Sequence, residues 1–462
     1  MIRGLLAAAA LFLVAGPARA DLVYFVGGGQ AQVPAMIEGD RVRLETPEGP
    51  RTFGRGDFLA VVLGEDPTRE WPGRRASATR DGRIEAIFAA AWWALENGLT
   101  DEAVALLRSS RPLAASTRHA PSLKALAMLG NLEAPCPDRP DLDSIVARLR
   151  PERFAEARGD HVVLLYQGDE AEARRRLEVL ERVVTTFALG FAAQGVDLSA
   201  PSQKLISVWF ADRRDHAAFL QRSDAAAFGD TQGFYHPTLR VVFAHDTRSS
   251  EAHRARRRAI ANRLKDGAPA AEVDRLTLLL DLEWRATDLG IAAHETVHQM
   301  TVASGLSRRS DDFPAWLHEG LAAQFEVVRG GRWVGVGRIN DLRLPDWRSI
   351  HPAPRLAPLL LDDGFARGYR RDSYAEAWAL VYFLRKTRPG EFLGYLDRLR
   401  NPGLDATSAQ DRALLAFRAA FGADVPALER DWRRFLADLR TPLESGRPRT
   451  VAAGPDDPRK PD

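Results

Sequence analysis

Residues Asp288–Ser304 read DLGIAAHETVHQMTVAS, and residues Asp312–Glu326 read DFPAWLHEGLAAQFE. The first stretch is expected to be a helix. Thr287 or Asp288 is placed to cap its start, and Gly305 to stop it. Residues four apart share a helical face. His294 and His298 therefore project side by side, close enough for two imidazoles to meet one metal ion. Glu295 lies one step around the cylinder, too near for a third ligand but well placed to take a proton from a water that the metal polarises.

A catalytic zinc needs a third protein ligand and one open position. The second stretch is expected to be a helix capped by Asp311 or Asp312, with Pro314 in its first turn and Gly330-Gly331 at its end. Two helices joined by such a loop can pack antiparallel, which makes Glu319 the natural third ligand. Gly320 costs about 1 kcal/mol of helix propensity relative to Ala. That cost makes sense if another backbone approaches there. His318 should point away from the metal, because neighbouring side chains on a helix diverge by about 100°.

HETVH followed by WLHEGLAAQFE resembles the gluzincin metallopeptidases, the thermolysin-like clan. The wider context, GFYHPTLRVVF upstream and YAEAWALVYFLRK downstream, extends the likeness to a bacterial family of secreted gluzincin-like proteins over roughly residues 150–440. The resemblance implies Zn2+ as cofactor, with His294, His298 and Glu319 as ligands and Glu295 as general base. It also implies that Glu326 orients a ligand histidine from behind. A Tyr or His downstream often stabilises the oxyanion in such enzymes. Tyr374 is the first candidate, with Tyr369 and Tyr382 after it. The Gly-rich exopeptidase motif of the aminopeptidase branch has no clear equivalent, so aminopeptidase specificity is not implied.

The other residues fit a secreted enzyme. The start, MIRGLLAAAALFLVAGPARA, has a basic n-region, an apolar run and an Ala18-Arg19-Ala20 cleavage site, so residues 1–20 read as a signal peptide. A periplasmic destination follows. No later run approaches the roughly 20 apolar residues of a membrane span. Removing the leader takes away two Arg and no acid, which leaves 62 basic and 62 acidic residues. That balance points to neither nucleic acid nor an anionic membrane as partner. The basic run Arg254–Arg258 reads as a solvated helix face. Cys136 is the only cysteine, so the chain has no internal disulfide.

The expected fold class is α+β. A small β module of three to five strands over 21–66 precedes a helical segment over 67–135. In the latter, WALENGLTDEAVALL is similar to a tetratricopeptide-type hairpin, with Thr100 as an N-cap. Simple packing is its first reading, and a protein partner bound through the hairpin its second. A mainly helical gluzincin-like domain with a small mixed sheet follows over 150–440. Its strand Leu239–His245 is expected at the sheet edge beside the cleft, where an extended peptide could pair. Residues 441–462 are Pro-rich and polar and read as a disordered tail.

The function these readings imply is a zinc-dependent hydrolase that cleaves a peptide or protein substrate. The competing reading is a periplasmic partner-binding protein whose zinc site is structural or inactive. A structural site usually fills all four positions with protein ligands, often Cys. Here three ligands can be named and no Cys lies nearby.

Overall fold

The computed structural model describes residues 21–446 except 63, 65, 224, 310–311, 367, 369 and 402–407. The expected signal peptide, the Asp311 alternative for a helix cap and Tyr369 lie outside the described residues, as does most of the expected tail.

The chain opens with six strands: β1 (Asp21–Phe25), β2 (Gln30–Val33), β3 (Ala35–Glu38), β4 (Arg41–Thr46), β5 (Gly49–Gly54) and β6 (Phe58–Val62). They form two small sheets, ordered β2-β1-β6 and β3-β4-β5. Pro34 separates β2 from β3 and sends them to different sheets, so the strands outnumber the three to five expected. Pro has no N–H to continue a ladder. Val23, Phe25, Val42, Leu44 and Phe53 make a core that is completed by Leu278 from a distant helix.

Five helices follow: α1 (Pro67–Asp81), α2 (Ile84–Glu96), α3 (Thr100–Ser109), α4 (Ala120–Leu132) and α5 (Leu142–Arg148). Gly98, at φ 72°, turns the chain between α2 and α3. Thr100 does not cap α3. It is the first helical residue, and its hydroxyl lies 3.2 Å from that of Thr186, so a tertiary hydrogen bond has replaced the local one. The hairpin packs its apolar residues into the main core.

The central sheet contains β7 (Ala155–Arg158), β8 (Val162–Tyr166), β9 (Leu205–Phe210), β10 (Gly233–His236) and β11 (Val241–His245), in the order β10-β11-β9-β8-β7. The three inner strands are parallel and the two outer ones antiparallel to their neighbours. Every residue of β8, β9 and β11 is buried, as in sheets covered on both faces. Helix α6 (Glu170–Ala193) packs on one face, and α7 (Arg213–Arg222) on the other beside α5. The sheet edges are therefore β10 and β7, and β10 is the one that lies near HETVH. The expected edge, Leu239–His245, contributes β11, which is enclosed between β10 and β9.

Helix α8 (Glu251–Lys265) buries none of its residues, consistent with a solvated Arg254–Arg258 run. Helix α9 (Ala270–Ala303) then runs for 34 residues, roughly 50 Å at 1.5 Å per residue. The expected start at Thr287 or Asp288 is absent. The Thr287 hydroxyl donates back to the Glu283 carbonyl at 3.0 Å, and Asp288 is consumed by a buried ion pair. The stop at Gly305, with φ 72°, is as expected.

That ion pair belongs to a network that anchors α9. Arg176 of α6 donates to Asp288 at 2.6 Å. One turn earlier, Arg285 donates twice to Glu172 of α6, at 2.7 and 3.0 Å, and reaches Glu48 in the β4–β5 turn. Arg285 is 1% exposed. Burial pushes the Asp288 carboxyl up to about 6 against the pull of Arg176. Two separate elements, α6 and the β4–β5 turn, thus meet on the helix that carries HETVH.

The remainder is helical: α10 (Ala315–Ala322), α11 (Arg343–Ser349), α12 (Leu356–Leu360), α13 (Asp363–Ala366), α14 (Arg371–Thr387), α15 (Pro389–Arg400), α16 (Ala409–Phe421), α17 (Val425–Asp438) and α18 (Pro442–Ser445). Residues 441–446, expected in the disordered tail, form α18 instead. Thr441 and Glu444 make a reciprocal capping box, and Tyr24 donates to the Leu443 carbonyl at 2.7 Å. Among the described residues, no helix is long and apolar enough to cross a membrane.

Candidate metal centre

His294 and His298 stand one turn apart on α9, both buried, and α10 brings Glu319 against them. His294 Nε2 lies 3.0 Å from Glu319 Oε2 and 3.0 Å from His298 Nε2; His298 Nε2 lies 3.4 Å from the same carboxylate oxygen. Hydrogen bonds cannot satisfy this triangle. His294 Nε2 can donate to the carboxylate or accept from the imidazole, but not both. A cation at the centre satisfies all three atoms. Tetrahedral ligands at 2.0–2.1 Å from zinc stand about 3.3 Å apart, close to the spacing seen here. These three residues form a buried group able to hold a metal ion.

The electrostatics are those of a site built for positive charge. Burial opposes a charged His294, but the hydrogen bonds it donates to Glu319 and Glu326 override that and push its pKa up to about 10. Burial also opposes ionised Glu319; the His298 charge and the His294 hydrogen bond prevail and hold it well below the usual carboxylate range. Metal binding takes neutral imidazoles and so displaces the proton.

Glu326 accepts from His294 Nδ1 at 2.8 Å. Two residues that sequence reasoning missed hold it in place. Arg343 donates to both carboxylate oxygens at 3.0 and 2.8 Å, and Asn340 adds a bond of 3.0 Å. Burial opposes the Glu326 charge, yet Arg343 and His294 draw its pKa down to about 2. Asn340 caps the turn entering α11, accepting from the amides of Leu342 and Arg343. The Asn-x-x-Arg pattern is the only signal a reader of the sequence could have used.

Glu295 is also buried, and its Oε2 has no hydrogen-bond partner among the described residues. Burial raises its pKa, opposed by the neighbouring histidines. Gly233 of β10 lies over it. A Cβ at Gly233 would stand 2.7 Å from Ile291 Cγ2 and 3.3 Å from Glu295 Cγ, so the edge strand is held against the site by a missing side chain.

The close approach expected at Gly320 is made by α14. A Cβ there would meet the carbonyl of Ala377 and stand 2.6 Å from Val381 Cγ2. Gly290 does the same for α9, where a Cβ would stand 3.0 Å from the Glu326 carbonyl. Helix α10 is shorter than expected. It ends at Ala322, a 3-10 turn continues to Phe325, and Gly330-Gly331 instead turns a small hairpin between Val328–Arg329 and Arg332–Trp333. Its start is capped from outside: Asp362 accepts from the amides of Ala315 and Trp316 at 2.8 and 2.9 Å. Asp312, a candidate cap, accepts from Arg309.

Tyr374 stands in the first turn of α14, with its ring 6.0 Å from that of His294 and under the Arg343 guanidinium at 5.0 Å. Tyr382 is stacked on Trp378 and buried. His318 is not one of the converging ligand residues, as expected, and its ring stacks on His298, with centroids 4.0 Å apart and planes at 15°. Burial and then the His298 charge push its pKa down to about 3, so it is a neutral ring. His216 and His245 pack against each other beside Phe210, behind the sheet.

A family profile described as "Protein of unknown function (DUF1570)" matches residues 288–404. That span begins at Asp288 and contains all three metal-ligand candidates, Glu295, Glu326 and Tyr374. No curated protein matches the chain.

Proposed function

We propose that this chain is a secreted, periplasmic, gluzincin-like zinc peptidase that hydrolyses peptide or amide bonds. The observation that carries the reading is the Glu295 carboxylate. A structural metal site has no use for a buried, unpartnered acid beside its ligands. A general base needs one.

His294, His298 and Glu319 would hold the cation, and Glu326, braced by Arg343 and Asn340, would fix the His294 ring. A zinc ion held there would supply Lewis acidity toward a water and a scissile carbonyl. Glu295 would take a proton from the attacking water and return it to the leaving amine. Tyr374 donates a hydrogen bond to the developing oxyanion from the α14 side. An extended substrate pairs with the edge strand β10, which runs past Glu295.

The test is turnover of a random peptide library by the mature chain. Cleavage should stop on chelation and return with added zinc. Cleavage that persists in excess chelator would reject the mechanism, and no cleavage by the zinc-loaded chain would favour the partner-binding alternative.

A further inference from the structure

The two candidate ligand histidines are held in different ways. His294 has its second nitrogen tied to Glu326 at 2.8 Å. His298 Nδ1 is buried with no hydrogen-bond partner among the described residues. A ligating imidazole ordinarily donates that N–H to a carboxylate, carbonyl or water, and the bond fixes the rotation of the ring. Without it the last torsion of histidine is soft.

What His298 has instead is a contact on its face. His318 lies nearly parallel to it, at 15° and 4.0 Å between centroids. Consecutive residues of α10 therefore grip one ring. Glu319 reaches its Nε2 edge at 3.4 Å, and His318 covers its plane. The roughly 100° between neighbouring helical positions does not separate the two side chains here. It forms the angle into which the imidazole fits. On another side the His294 ring stands edge-on, at 84° and 4.7 Å. His298 cannot turn about its last torsion without driving its edge into one of these rings.

We propose that His318 is a positioning residue for His298, and that it acts through the face of its ring and not through its nitrogens. The proposal rests on the metal-centre reading above. It assigns the orienting task for each ligand to a different device: a braced carboxylate for His294, a stacked ring for His298.

Zinc binding to the purified mature chain, measured by competition with a chromophoric chelator, tests this in wild type, His318→Ala and His318→Phe. His318→Ala should weaken zinc binding by roughly 10- to 100-fold, the usual loss when a ligand's support is removed. His318→Phe, which keeps a flat ring and has no nitrogen, should stay within about threefold of wild type. The cobalt-substituted proteins should show an altered visible spectrum for the Ala variant and a near-native one for Phe. Equal affinity in His318→Ala would overturn the proposal. So would a loss in His318→Phe as large as in His318→Ala, because the nitrogens would then matter. Melting of the three metal-free proteins guards against misfolding: an Ala variant that melts early but binds zinc normally assigns His318 a structural role only. A wild-type chain that takes up no zinc refutes the metal centre itself, a result distinct from any of these.

Discussion

Replacing Glu295 by Gln is expected to lower peptide turnover by roughly 10²- to 10⁴-fold, the contribution typical of a positioned general base, while zinc content stays at the wild-type level. Glu295 is not among the three converging candidate ligands, and its Oε2 makes no hydrogen bond among the described residues. The substitution therefore removes no structural bond and keeps the side-chain volume. It also removes a buried acid that burial holds toward its protonated form. The metal-free chain should consequently melt at or slightly above the wild-type temperature. Turnover by the Gln variant at the wild-type rate would show that Glu295 carries no proton, and the reading of the site as catalytic would fall. The activity loss should be the same at all substrate concentrations, since the residue serves the chemical step and not binding.

The second large effect is on stability. Glu172→Ala is expected to destabilise the fold by roughly 3 kcal/mol, the low end of the range for leaving a buried charge short of its partner. Arg285 is 1% exposed and would lose both bonds to α6, keeping only Glu48. A chain of this length should then melt about 3 °C lower, at roughly 1 °C per kcal/mol, because the unfolding entropy grows in proportion to chain length. The double variant Glu172→Leu with Arg285→Met should recover most of the loss, because apolar replacements of a buried pair are often neutral. A melting temperature of Glu172→Ala within about 1 °C of wild type would contradict the network as an anchor of α9. The consequence reaches the metal centre. Arg285 and Asp288 fix the α9 segment just before His294, so a loosened network should also weaken zinc binding.

The metal-ligand group was legible because its logic is local. HETVH puts two imidazoles on one helical face, and WLHEGLAAQFE supplies one carboxylate at the right distance along the next helix. The bracing residues were not legible in that way. Asn340 precedes and Arg343 opens the short helix α11, which has no hydrophobic period long enough to place it, and their partner Glu326 is fixed only by tertiary packing. The same cause explains the misread helix start. Thr287 and Asp288 look like a cap, but Asp288 pairs with Arg176 from α6, and no local pattern reveals a partner 112 positions away. Asp362 caps α10 across 47 positions, displacing the nearby acids that the eye selects.

Glycine was the most informative signal beyond the motif. Gly320 announced a close backbone approach, and the carbonyl of Ala377 lies where its Cβ would be. Gly233 offered the same clue to the edge strand and could have distinguished β10 from β11. Both segments are short and apolar, so periodicity alone could not rank them. The helical-angle argument kept His318 out of the ligand group but gave no sign that its ring would cover that of His298.

The central claim is that His294, His298 and Glu319 together hold one divalent ion, and metal analysis of the purified mature chain tests it most directly. The account predicts about one equivalent of zinc per wild-type chain, and less than about a tenth of that in Glu319→Ala at equal folded content, because two imidazoles alone make a weak site. A wild-type chain that carries no metal after exposure to zinc, or a Glu319→Ala chain that retains a full equivalent, would contradict it.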